Sequence, residues 1–260
     1  MGLNKVCIMV SGGLDSFVSI KYAKSLGLEP YPVFISFGQP YVEKEREALA
    51  TLDVKYKEVK VDGWLQTEIT TDNWIIPGRN LLFAVIGASF ADRVWLGALS
   101  GEQHAFAREH DKSHKFFREA TNLLSYIFEI QQSKTIIETP FGHFTKTKVV
   151  QWALAHGIGE EKLKLTSSCY HGKLHNCGIC GTCFKRWIAM INNDIFELYE
   201  SKPWENLYAR RTSVEMWNAW KEKSYSHYSW GRISETFRAL QKVIKLDYYI
   251  EESRKLLTGI

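Results

Sequence analysis

Val6-Cys7-Ile8-Met9-Val10-Ser11-Gly12-Gly13-Leu14-Asp15-Ser16 is a short apolar run that breaks into two glycines and then changes period. After the glycines, Phe17, Ile20, Tyr22, Ala23 and Leu26 recur at helical spacing, and Gly27 follows as a helix-terminating residue. The stretch therefore reads as strand, tight turn, helix. At such a junction the first backbone N–H groups of the helix have no partner and the helix dipole is positive, so a phosphate group is stabilised there. Gly12 and Gly13 let the backbone approach closely, and Ser11 and Ser16 offer hydroxyls. Ser11, Gly12, Gly13, Leu14, Asp15 and Ser16 are together the predicted phosphate cradle, with Asp15 expected to N-cap the helix and to hold Mg²⁺. The bland alternative is an ordinary Ser-Gly-Gly turn. The lysine of a Walker loop is missing, so the grip is not the common one on the γ-phosphate.

The pattern repeats along the chain. Strands are expected at Pro32–Phe37, Tyr56–Val61, Arg93–Ala98 and Thr135–Glu138, and helices at Glu43–Leu52, Arg79–Ala91, Phe116–Ile130 and Thr145–His156. Alternating strands and helices imply a doubly wound α/β domain with a mostly parallel five-stranded sheet, over residues 1–165. Residues 166–194 form a cysteine-rich loop and the helix after it. Residues 195–260 show only helical patterns, broken at Pro203 and near Gly231.

The chain has 260 residues, 45% apolar, enough for one substantial core. A net charge of +4 fits phosphate ligands without identifying a nucleic-acid binder. No segment reaches the roughly 18 apolar residues of a membrane span, and no secretory signal is legible, so a cytoplasmic location is expected. Cys169, Cys177, Cys180 and Cys183 are spaced C-x7-C-x2-C-x2-C. Four soft thiolates on a glycine-assisted turn suit structural Zn²⁺; an iron–sulfur cluster and a thiol redox pair are the alternatives. His171 and His175 lie in the same loop and His143 follows Pro140, all with open roles. Cys7, inside the first strand, reads as a buried inert thiol.

The hexapeptide Ser11–Ser16 resembles the signature of the PP-loop ATP pyrophosphatases, a Rossmann-like superfamily in which it cradles pyrophosphate while the α-phosphorus reacts. Further residues narrow the resemblance: Phe37-Gly38-Gln39, Pro77-Gly78-Arg79-Asn80, Thr139-Pro140-Phe141 with Lys146, Ser168-Cys169-Tyr170, and Cys177-Gly178-x-Cys180-x-x-Cys183-x-x-Arg186. With these, the chain over about residues 5–190 is similar to the 7-cyano-7-deazaguanine synthase family of the queuosine pathway. The resemblance implies an adenylating carbon–nitrogen ligase that turns 7-carboxy-7-deazaguanine and ammonia into the nitrile, with ATP and Mg²⁺, releasing AMP and pyrophosphate. It also implies catalytic roles for Asp15, Arg79 and Lys146, substrate contacts from Gln39, Arg79, Asn80 and Asp111, and zinc on the four cysteines. Physically, Arg79 and Asn80 would stand at a helix N-terminus, and Lys146 near the ligand-binding edge of the sheet. A solvated surface charge is the alternative for each.

Two regions depart from the family pattern. The stretch after the fourth strand, Gly97–Phe117, keeps Ser100-Gly101 and Asp111 only loosely, and about 65 residues follow Asp194. That tail carries Trp204, Trp217, Trp220, Trp230 and Arg210-Arg211. Helices that cover the core or mate with a second subunit, as in a homodimer, are expected; nucleic-acid stacking is the alternative. The competing functions are attachment of a deazaguanine carboxylate to a protein amine and a tRNA-directed PP-loop thiolase or ligase, either of which gives the tail a protein or nucleic-acid acceptor to meet.

Overall fold

Residues of the first strand divide between two cores. Val6, Ile8 and Val10 pack on one side of the sheet with Phe34, Trp95, Ala23 and Leu49. Cys7 packs on the other with Val33, Ile35, Val94 and Ile137, beneath Ala84, Ala88, Phe117, Ala120 and Leu124. This is the period-two alternation of a strand covered on both faces. The computed structural model describes residues 4–63, 78–102, 110–129, 134–169, 171 and 176–259. Pro77, Tyr170 and His175, quoted above, lie outside the described residues.

Five parallel strands form the sheet: β1 (Lys5–Met9), β2 (Glu29–Ser36), β3 (Lys57–Lys60), β4 (Arg93–Trp95) and β5 (Ile136–Glu138), in the order β3-β2-β1-β4-β5. Helices α1 (Leu14–Ser25) and α2 (Val42–Thr51) cover one face; α3 (Arg79–Ala88) and α4 (His114–Ile127) cover the other. The fold is thus the doubly wound α/β architecture that the sequence implies. The chain winds outward from β1 through β2 to β3, then returns to lay β4 against β1. The loop after β1 therefore sits at the topological switch point, where such sheets bind ligands.

Element ends differ from the sequence reading for local reasons. Strand β4 stops at Trp95 because the Thr139 hydroxyl takes over the pairing beyond it, donating to Ala98 O at 2.7 Å and accepting from Ala98 N at 3.2 Å. Helix α4 begins at His114, two residues early, since Ser113 Oγ caps it by accepting from Phe116 N at 3.1 Å.

Contacts divide the chain into two compact units, Met1–Gly142 with Leu165–Ser167, and His143–Lys164 with Ser168–Ile260. The second holds α5 (Lys146–Ala155), α6 (Glu160–Leu165), α7 (Gly181–Ile191), α8 (Leu207–Lys221), α9 (Trp230–Gln241) and α10 (Leu246–Thr258). The break expected at Gly231 falls just before it: Ser229 caps α9, and Gly231 lies in the first turn. Trp187, Trp204, Trp217, Ala209, Leu240 and Tyr249 share one apolar core. The Arg210 guanidinium lies over the Tyr249 ring and donates to Glu205 O and Ser253 Oγ. These tail aromatics are interior packing, while Trp230 is 54% exposed.

Beneath the cysteine loop, Arg186 is fully buried and paired with Glu197 at 2.6 Å, itself 5% exposed. Arg186 also donates to Leu163 O at 2.8 Å, and Glu197 accepts from Tyr199 OH at 2.8 Å. A buried ion pair is stable only when its remaining donors and acceptors are satisfied, and here the pair ties α6, α7 and the segment after Asp194 to one point.

Candidate active site

Gly12 shapes the loop between β1 and α1. Its φ is +67°, a left-handed conformation, and a Cβ there would stand 2.7 Å from Ala48 Cβ and 3.0 Å from Glu45 O. Only glycine lets the loop lie flat against α2 in this conformation. The Gly12 carbonyl accepts from Ser167 N at 2.8 Å, so the strand of chain just before the first clustered cysteine closes the other side. Gly13, not Asp15, is the N-cap of α1; Asp15 lies in the first turn, which corrects the capping role expected for it. Ser16 Oγ donates to Gly13 O at 3.0 Å and accepts from Ser11 N at 3.3 Å. The hydroxyl thus holds the loop in shape. Leu14 is buried and anchors the helix start.

Gln39 is 2% exposed at the end of β2. Its Oε1 accepts from Phe37 N at 2.9 Å, and its Nε2 donates to Glu45 Oε2 at 2.8 Å. Glu45, on the first turn of α2, is half-buried, and burial pushes its carboxyl up to about 7 against the lowering effects of Gln39 and the Arg79 charge. Gln39, Glu45 and Arg79 therefore share one neighbourhood. The sequence reading named the first and third and missed Glu45, which sits in the run Glu43-Lys44-Glu45-Arg46-Glu47 that reads as a solvated helix face. Asn80 is 7% exposed and donates to Asp111 O at 3.1 Å, binding α3 to the short turn His110–Lys112. Lys112 pairs with Glu102 at 3.2 Å across the residues between.

Arg79 and Lys146 each stand in the first turn of a helix, α3 and α5. A cation there opposes the macrodipole, a local cost of about 0.3–1 kcal/mol, which an anionic ligand would reverse. Lys146 belongs to the second unit, and Thr145 caps its helix by accepting from Lys148 N at 3.3 Å.

The sulfurs of Cys169, Cys177, Cys180 and Cys183 all lie within 4.8 Å of one another, and none forms a disulfide. Cys177 and Cys183 are 3.8 Å apart, which is about the edge of a tetrahedron built on ~2.3 Å zinc–sulfur bonds. Cys169 Sγ accepts from His171 N at 3.3 Å and from Cys177 N at 3.4 Å, donors that favour a thiolate. Burial and the neighbouring Cys169 sulfur push Cys177 up to about 11, and hydrogen bonding to the Cys169 and Cys180 sulfurs, with burial, pushes Cys183 higher still. Four sulfurs held this close together are a donor set that a divalent cation would make favourable. Gly178 (φ +76°) makes the turn possible: a Cβ there would meet Ser201 O at 1.7 Å. Cys7 lies apart in the sheet, fully buried, its thiol pushed up to about 12.

A family model described as Queuosine biosynthesis protein QueC matches residues 57–194. The chain belongs to that family. Among relatives, the 7-cyano-7-deazaguanine synthase of Psychromonas ingrahamii is 26% identical over 218 residues, 74% of this chain and 95% of that protein. The protein of the same name from Thermoplasma volcanium is 28% identical over 206 residues, 69% of this chain and 83% of its own. A predicted subunit of a tRNA methyltransferase from Methanocaldococcus jannaschii aligns with a TM-score of 0.43 at 19% identity, over 58% of this chain and 75% of that one. This QueC-family chain is thus an enzyme of queuosine biosynthesis by kinship, and among its described residues no helix is long and apolar enough to cross a membrane.

Two expectations follow. Metal analysis of the purified protein should find zinc on the four cysteines, and Cys183→Ser should lose it and melt at lower temperature; bound iron, or a melting temperature indifferent to chelation, contradicts the assignment. The second concerns Glu45. A carboxyl raised from 4.5 to about 7 contributes stability that is present at low pH and is lost as pH rises through 7. Glu45→Gln should therefore gain on the wild type by on the order of 2 kcal/mol between about pH 5 and pH 8, read by urea unfolding. A gap that does not change with pH contradicts it.

Proposed function

We propose that the protein is an ATP-dependent carbon–nitrogen ligase that converts 7-carboxy-7-deazaguanine and ammonia into 7-cyano-7-deazaguanine, releasing AMP and pyrophosphate. The observation that carries this reading is the pre-formed glycine loop at the switch point of a QueC-family sheet, beside the Gln39–Glu45–Arg79 group. The loop's backbone N–H groups and the N-terminus of α1 would hold the pyrophosphate portion of ATP, with Asp15 as the carboxylate for Mg²⁺. Mg²⁺ would neutralise phosphate charge; zinc on the four cysteines would be structural. Because Ser11 N and Ser16 Oγ are already joined, the cradle needs little reorganisation when ATP arrives.

The substrate carboxylate attacks the α-phosphorus, giving an acyl-adenylate and pyrophosphate. Arg79 and Lys146 are the cations assigned to the charge that builds on the transferring phosphate. Ammonia then displaces AMP to give the amide. A second adenylation, at the amide oxygen, lets AMP depart and leaves the nitrile. Gln39, Asn80 and Asp111 are assigned to the deazaguanine and its carboxylate, with Asn80 acting partly through the turn it holds. The 26–28% identity to synthases of this name, over most of their length, supports the substrate assignment.

The test combines zinc-loaded protein, Mg-ATP, ammonium and the carboxylic acid, with products read by mass spectrometry. Nitrile, AMP and pyrophosphate are expected. Arg79→Ala and Lys146→Ala should each lower kcat/KM about 10²–10³-fold. Formation of ADP, or AMP release indifferent to the acid, contradicts the proposal.

A further inference from the structure

We infer that Glu45 is a catalytic proton acceptor that takes a proton from ammonium, so that neutral ammonia attacks the activated carboxyl; the assignment rests on the ligase reading above. Ammonium is the abundant form of ammonia near neutral pH, and it has no lone pair with which to attack. A site that uses it needs an anionic group that can hold the cation and then accept its proton.

Glu45 has the position and the surroundings for this. Its backbone carbonyl lies against Gly12 of the phosphate loop, within 3.0 Å of where a Cβ would be. Its side chain is fixed at 2.8 Å by Gln39, which is in turn bolted to Phe37 N. The donor that fixes it is a neutral amide, so the carboxylate keeps its charge available for a cation. The charged group of another element that acts on it is Arg79 on α3, and Glu43, Lys44 and Arg46 are its charged neighbours along α2 itself. Arg46 bonds both Glu43 and Glu58, which occupies those carboxylates with each other's partner. Burial weakens the ionised form of Glu45, while Arg79 and Gln39 support it, and the balance near 7 suits a group that must gain and lose a proton in each turnover.

The step balances without a further reactant. One proton passes from ammonium to the Glu45 carboxylate. The nitrogen lone pair forms the C–N bond, the C–O bond to AMP breaks with its electrons on the phosphate, and the second nitrogen proton leaves with AMP to solvent. Glu45 then returns its proton to water.

The experiment compares ammonium with hydroxylamine, a nucleophile already neutral near pH 7, in the holoenzyme with Mg-ATP and the carboxylic acid. AMP release is followed across the pH range. With ammonium the wild-type rate should level off above about pH 7, as the carboxylate becomes fully ionised. In Glu45→Gln the ratio of the ammonium rate to the hydroxylamine rate should fall about 100-fold, with part of it restored in Glu45→Asp. An unchanged ratio overturns the assignment. So does a wild-type ammonium rate that keeps rising in proportion to free ammonia, a result that needs no variant to fold. Wild-type protein that releases no acid-dependent AMP with either nucleophile overturns the ligase reading itself, and this assignment with it.

Discussion

The contact between Gly12 and the first turns of α2 is the constraint on which the rest of the site depends. A left-handed residue without a side chain lets the loop after β1 lie on the α2 backbone, and its carbonyl then receives Ser167 N from a distant part of the sequence. Three segments meet at one residue, and each brings something the chemistry needs. The loop brings the N-terminus of α1, and α2 brings Glu45. The returning segment leads directly into Ser168-Cys169. Any side chain at Gly12 would have to displace helix backbone rather than the end of a flexible group, so the loop, α2 and Ser167 would move together.

Much of this was legible in the residues. The period-two apolar strand, the two glycines and the helical spacing after them sufficed for the doubly wound fold, since parallel βα units leave little topological choice. The four cysteines read correctly as one cluster, because C-x2-C steps bring thiols together by local geometry alone. What stayed hidden depends on tertiary placement. Glu45 is the middle one of five consecutive charged residues, and nothing local says that Gln39, six positions earlier, turns inward to meet it. The capping serine at 113 starts α4 two residues before the position that apolar periodicity alone indicates. Thr139 pairs through its side chain with Ala98, beyond the end of β4, an arrangement that no strand pattern encodes.

The tail shows how a reading from composition can be redirected by packing. Basic and aromatic residues side by side fit a nucleic-acid surface equally well as a core, and here burial decides for Trp204, Trp217 and Tyr249. The same segment also serves the cysteine loop. Ser201 N donates to Cys177 O at 3.2 Å, Asn206 Nδ2 donates to Gly178 O at 2.8 Å, and the Tyr208 ring closes on Gly181. Residues past the family-matched stretch thus brace the candidate metal centre, and Arg186–Glu197 anchors them from below.

Arg79 keeps a cation where the α3 dipole disfavours it, and the loop after β1 presents N–H groups with the same sign of potential. A potential of that sign favours a polyanion, and in the proposed ligase reaction the polyanion is ATP cleaved at the α-phosphorus. Exchange of labelled pyrophosphate into ATP, without ammonium, measures that step alone. Label should enter ATP only when the deazaguanine carboxylic acid is present. Label that enters without the acid, or ATP that yields ADP and phosphate with no exchange, would contradict it.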